Sequence, residues 1–190
     1  AIDVAEQIRD VLLGLPARSA VNIPGLSAEI MERLKPHLQL AETVGLLVSQ
    51  LAGGHVQEME LRLQGEFASH PSQPLVIAAL KGLLSAGLGD SINFVNASLE
   101  AKARGIQVLE VKDESSRDFA GGSLQITTRG DQGSRSVTGA VFADGDLRIT
   151  SIDAFPVNVT PSSHMLFTRH RDLPGIIGHL GSLLGEHNVN

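Results

Sequence analysis

The sequence predicts an α+β chain with a helical lead, a sheet-and-helix domain, and the opening strand and helix of a further unit. Three patterns carry that prediction. Apolar residues recur at helical spacing over residues 1–13 and again from Leu38 to Leu51. At His55 the pattern switches to alternation, with Met59, Leu61 and Leu63 on one face and Glu58, Glu60, Arg62 and Gln64 on the other. Further on, short alternating runs are punctuated by Gly130-Asp131-Gln132-Gly133 and Asp144-Gly145, which read as hairpin turns.

In chain order, Ile2, Ala5, Ile8 (or Arg9) and Leu12 share a helical stripe, which Gly14 ends and Pro16 keeps from resuming. Residues 17–25 read as an extended connection with a Pro–Gly turn. Ser27 is placed to cap a short helix to about Leu34, and Pro36 suits the first turn of a separate helix that Gly53–Gly54 closes. Residues 15–54 are therefore expected to pack on something else rather than to form a domain. Pro74 opens an apolar helix to about Gly87. Asn96 or Ser98 opens a second one, closed by Gly105. Strands follow at 106–111, around Leu124–Thr128, at Val137–Phe142 and at Leu147–Ile152, and Gly121–Gly122 reads as a strand-entry turn. Residues 55–160 thus predict an antiparallel sheet with two helices on one face. From Ser163 a strand with Met165, Phe167 and Arg169 on one face leads to a helix begun by Pro174–Gly175, carrying Ile177, Leu180, Leu183 and Leu184. One strand and one helix bury no core, so this last unit is expected to be incomplete and to associate through its edge. The chain has no initiator Met and starts inside a helical pattern, which we take as the expectation of a cut.

Composition narrows the function. The 190 residues are 42% hydrophobic and 19% charged, which suits a folded chain. Aromatics are only 3%, with no Trp or Tyr, and the formal charge is -6, which argues against nucleic-acid stacking platforms and polyanion partners. With no cysteine, disulfides, thiol nucleophiles and zinc–thiolate sites are excluded. No apolar run reaches the roughly 18 residues of a membrane span, and no signal segment opens the chain.

Searches for catalytic motifs fail: there is no GxGxxG, GxxxxGK[ST], HExxH or GxSxG. His164, His170, His179 and His187 lack the i, i+4 spacing of helical metal ligands, so no metal site is expected. The segment His170-Arg171-Asp172-Leu173-Pro174-Gly175 is more informative. Amides at the start of the following helix favour a carboxylate. Asp172 can pair with an ammonium, and Asn190 offers both a donor and an acceptor. The plain alternative is an N-cap by Asp172 and a turn at Asn190. Among Lys102, Arg104, Lys112, Arg117, Arg129, Arg135 and Arg148, most are read as solvated charges. Arg148, on a strand beside a Gly turn, is the best candidate for an anionic metabolite.

Three segments together resemble one family. AIDVAEQIRDVLLGLPARSAVNIPG resembles the crossover helix that follows the catalytic segment of bacterial and plastid-type D-3-phosphoglycerate dehydrogenases. FVNASLEAKARGI and GDLRITSIDAF resemble the intervening allosteric domain of the long form, and RHRDLPGIIGHLGSLLGEHNVN resembles the first strand and helix of a ferredoxin-like ACT domain. The resemblance implies a crossover and return segment at 1–25, a helical connector at 26–54, the intervening domain at 55–160 and an incomplete ACT domain at 161–190. It implies a parent that oxidises 3-phosphoglycerate with NAD in serine biosynthesis, in the cytoplasm or the plastid stroma. That parent is a homo-oligomer, expected as a tetramer, with L-serine as feedback effector. By position in the motif, His170, Asp172 and Asn190 match serine contacts, with backbone amides near Leu173 and Gly175 taking the carboxylate. Arg148 matches one basic position of the intervening domain, whereas Phe155 and Pro156 stand where some members carry another basic residue. The catalytic and NAD-binding residues are expected before Ala1, so none here is assigned as catalytic. The rival readings are the regulatory part of an iron–sulfur serine dehydratase and a free-standing amino-acid-binding module.

Overall fold

Alternation puts one side chain in two on the same side of an extended chain, and along residues 56–64 that side is the apolar one. The computed structural model describes residues 4–6, 8–9, 28–114, 122–142, 145–171 and 173–189. In it β1 spans Val56–Gln64, and Met59, Leu61 and Leu63 are buried as the alternation requires. The remaining strands are β2 (Gln107–Asp113), β3 (Ser123–Gly130), β4 (Gly133–Val141), β5 (Leu147–Ile152) and β6 (Phe155–Val159). They form one sheet in the order β2-β1-β3-β4-β5-β6. Met59, Leu61 and Leu63 stand opposite Thr128, Ile126 and Leu124 of β3, and all six are buried on the same face.

The sheet corrects the antiparallel expectation: β1 and β2 run parallel, while the other neighbours are antiparallel. The cause is the connection. Between β1 and β2 lie α2 (Glu66–Ser69), α3 (Ser72–Leu88), a 3-10 turn at Gly89–Ser91 and α4 (Ala97–Ala103). A helical crossover of that length returns the chain to the starting end of the sheet, so the next strand runs the same way.

A second correction concerns Pro36. The expected break is absent, and α1 runs unbroken from Ala28 to Ala52 with Pro36 inside it. Proline lacks the N–H that would bond to the carbonyl four residues back, a cost of about 3 kcal/mol in a helix interior. Burial on both sides of it offsets that: Leu34 precedes the ring and Leu40, Ala41, Val44, Leu47 and Val48 follow it, all buried. The His37 ring also reaches back to the Arg33 carbonyl, at 3.1 Å. Helix α1 lies on α3 and on the core faces of β3 and β4, so it belongs to the same core as the sheet. Residues 4–6 and 8–9 are helical. Among the described residues no helix is long and apolar enough to cross a membrane.

β6 was not expected. Its Pro156 cannot donate to a ladder, which confines such a strand to an edge, and β6 is the edge beside β5. The β5–β6 hairpin turns on Asp153 and Ala154 with φ of 47° and 69°, a left-handed pair that favours glycine. Asp153 is held there because its carboxylate accepts from the Ser136 amide (2.9 Å) and from Arg135 (2.8 Å). Ala154 has no such compensation. Ala154→Gly is therefore expected to stabilise the chain by about 1 kcal/mol, a rise of roughly 0.5 M in the urea midpoint. A lowered midpoint would contradict this account of the turn.

The expected strand from Ser163 is also corrected. Residues 163–170 belong to no ladder, because extended chain becomes a strand only when a neighbour pairs with its amides and carbonyls. The helix that follows, α5 (Ile176–Glu186), forms where the sequence places it.

Candidate functional site

The effector turn reduces to a backbone question: where does α5 start, and what sits in front of it? Gly175 is the N-cap, with φ of 89° and no side-chain cap. Asp172 and Asn190 themselves lie outside the described residues. The Ile176 amide bonds to the Leu173 carbonyl (3.4 Å) and the His179 amide to the Gly175 carbonyl (2.9 Å). The rest of the first turn follows the general rule that early helical amides lack an intrahelical acceptor and attract anions.

His170, Gly175 and His179 line a groove of about 520 Å³ along the start of α5, with Pro174, Leu180 and Leu183. The His170 ring donates to the Arg171 carbonyl (3.0 Å). Leu173 is exposed and is not among the residues lining the groove. No residue of α5 is buried, and Ile177 is 68% exposed. An amphipathic helix with its apolar face in water is the mark of an interface.

Arg148 stands elsewhere, on β5, with its neighbour Ile149 turned into the core. Its guanidinium lies over the Phe142 ring at 4.7 Å and makes long 3.4 Å contacts to Asn158 and Asp146. Its Nε is buried with no partner. Contacts of that length are weak for a charged donor, so the group retains capacity for an anion. Arg148 does not line the groove at the start of α5, so the two candidates are not joined in one cavity. Of the other basic residues, Arg129 pairs with Glu58 and Glu60, Arg104 with Glu100 and Arg135 with Asp153. Lys112 bonds to the His70 carbonyl at 3.1 Å, and Arg117 is outside the described residues.

The sequence reading missed one cluster. His37, 9% exposed on α1, packs edge-on against Phe67 of α2 (4.5 Å) and against His70 (4.8 Å). Burial, and secondly the neighbouring His70, push the His37 pKa down; burial also pushes His70 down, against the pull of Glu66. The His70 Nε2 has no partner. The two rings are 33 positions apart in sequence, and neither periodicity nor spacing signals that they meet. Among the described residues no three His, Asp or Glu side chains gather as metal ligands.

A family profile described as "D-3-phosphoglycerate dehydrogenase intervening domain" matches residues 33–153. The chain is 60% identical over 191 aligned positions to the D-3-phosphoglycerate dehydrogenase of Synechocystis sp., covering 100% of the chain and 34% of that protein. It is 37% identical to the Methanocaldococcus jannaschii protein of the same name, covering 98% of the chain and 35% of that protein. With the chloroplastic D-3-phosphoglycerate dehydrogenase 2 of Arabidopsis thaliana the identity is 31%, covering 100% of the chain and 33% of that protein. The chain thus spans about a third of the length of the curated relatives it matches.

Proposed function

Because the chain belongs to the D-3-phosphoglycerate dehydrogenase intervening-domain family, we propose that it is the regulatory and assembly portion of such an enzyme. The whole protein would oxidise 3-phosphoglycerate to 3-phosphohydroxypyruvate with NAD, at the entry to L-serine biosynthesis, in the cytoplasm or the plastid stroma. This chain holds no GxGxxG turn between a strand and a helix, so the NAD-binding residues are assigned to the rest of that protein.

One observation carries the reading. The match ends at residue 153, and 19 positions later, beyond β6, comes the sequence Asp172-Leu173-Pro174-Gly175, followed by a helix with no buried residue. Such a helix is half of something. Its apolar face suits assembly against further chain, its own or a second copy's. Its first turn suits the carboxylate of a small amino acid, with Asp172 for the ammonium, and Asn190 and His170 for the remaining polar groups.

Regulation then follows by linkage: serine that binds one arrangement of the paired units more tightly shifts the whole enzyme toward it. Calorimetric titration of L-serine into the chain extended through a complete final domain is expected to give saturable heat. Asp172→Ala is expected to weaken binding at least tenfold, about 1.4 kcal/mol. Absence of heat, or an unaltered Asp172→Ala variant, defeats the reading.

A further inference from the structure

We propose that the cleft between the β5–β6 hairpin and residues 167–170 is a separate ligand site, for a small carboxylate with an apolar body. The cleft holds about 440 Å³, the size of a metabolite pocket. Its walls are Leu51, Ile152, Phe155, Val157 and Phe167. Phe155 and Phe167 are two of only six phenylalanines in the chain, and they are 60% and 39% exposed. Phe67 is buried in the core, whereas these two aromatic rings face a cavity, where they would bury the body of a ligand.

Charge selects the other end of the ligand. The charged lining residues are Arg135, Arg169 and Asp153, with His170 beside them. Arg135 is fixed by Asp153 at 2.8 Å and by the Leu51 carbonyl at 3.3 Å. The Asp153 carboxylate is in turn used by Arg135 and the Ser136 amide, so it is not left to receive an ammonium. Arg169 forms no ion pair among the described residues. One guanidinium in excess, and no spare acid, match a monoanion and give no reason for an amino group on it. A dianionic phosphate would leave one charge uncompensated in a half-apolar cleft.

The site goes beyond the effector turn. Phe167 and Arg169 line this cleft alone, whereas Thr168 and His170 also line the groove at the start of α5. The unpaired segment 167–170 is thus a wall common to both cavities.

The probe is 4-methyl-2-oxopentanoate, followed by the methyl signals of Leu51, Ile152 and Val157 in the 190-residue chain. Saturable shifts of these three are expected, with Arg169→Ala and Phe155→Ala each weakening binding about fivefold or more. Lys102→Ala, which removes a cation on α4, is expected to bind as the parent does. Acetate and 4-methylpentan-2-one, which separate the charge from the body, should each bind at least about tenfold more weakly. Equal shifts with acetate, equal weakening by Lys102→Ala, or no saturation overturns the site. A chain that binds serine yet shows none of these shifts overturns the cleft while leaving the turn in place.

Discussion

Gly82→Ala is expected to destabilise the chain by about 2–3 kcal/mol, even after the roughly 1 kcal/mol that alanine gains over glycine in a helix interior. Helices α1 and α3 cross where Gly45 faces Ala79 and Gly82 faces Glu42. A Cβ on Gly82 would fall on the Glu42 carbonyl, 2.8 Å from its carbon and 2.9 Å from the Leu46 nitrogen. A Cβ on Gly45 would lie 3.1 Å from both the Ala79 carbonyl carbon and the Leu83 nitrogen, and closer still to the Ala79 oxygen. These obstacles are backbone, so no rotamer change relieves them and the helices must move apart. Separation would also stretch the Lys81–Glu42 ion pair, 2.6 Å long across the same junction. It would loosen Val44, Val48, Leu80 and Leu83 as well, all buried there. The double variant Gly45→Ala/Gly82→Ala should cost less than the sum of the two, since one separation makes room for both methyl groups. Gly87→Ala is the control, because nothing lies within 4 Å of its Cβ position. Urea unfolding of the parent, the two single variants, the double variant and the control measures these effects. A Gly82→Ala variant as stable as Gly87→Ala would show that the helices are not in backbone contact.

Phe67→Ala is expected to cost more, about 3–5 kcal/mol, as for other fully buried aromatic side chains. Phe67 is completely buried on the one-turn helix α2 and is the ring against which His37 packs. The same cluster predicts a pH dependence. Both histidines have lowered pKa values in the folded chain, so the unfolded chain, near the ordinary 6.5, binds more protons. Stability is full above about pH 6.5. It falls as the pH drops from there through the lowered folded values, because protonation must then charge buried imidazoles. The charges facing the pair are Arg33 from α1, Glu66 beside it and Lys112 from β2. Glu66 opposes the effect, while Arg33 and Lys112 add to it at His70. The melting temperature should therefore fall between pH 7.5 and pH 5, and fall less steeply in His37→Leu. Phe67→Ala opens the cluster to water, which should raise the His37 pKa and flatten the profile. A parent profile that is flat over this range, or identical in His37→Leu, would remove the histidines from the account.

The sequence by itself determined most elements that are amphipathic along their own length. The alternation of Met59, Leu61 and Leu63 marked β1, and the turn residues around Leu147–Ile152 delimited β5. The apolar stretch after Pro74 marked α3. Period and punctuation are local properties, and local physics suffices to read them. The same holds for α5 after Pro174–Gly175, and for the segments whose resemblance pointed to the family.

What depends on partners far along the chain was decided only in three dimensions. The parallel pairing of β1 with β2 follows from where the crossover helices land. The continuity of α1 through Pro36 follows from burial on both sides of it, which outweighs a lost hydrogen bond. β6 exists because β5 offers it an edge, whereas residues 163–170, with a comparable pattern, find no ladder and remain irregular. The meeting of His37 with His70, and the placing of Phe155 and Phe167 on one cleft, have no trace in residue spacing. Such contacts are set by how layers pack, and packing is a property of the whole chain rather than of any stretch of it.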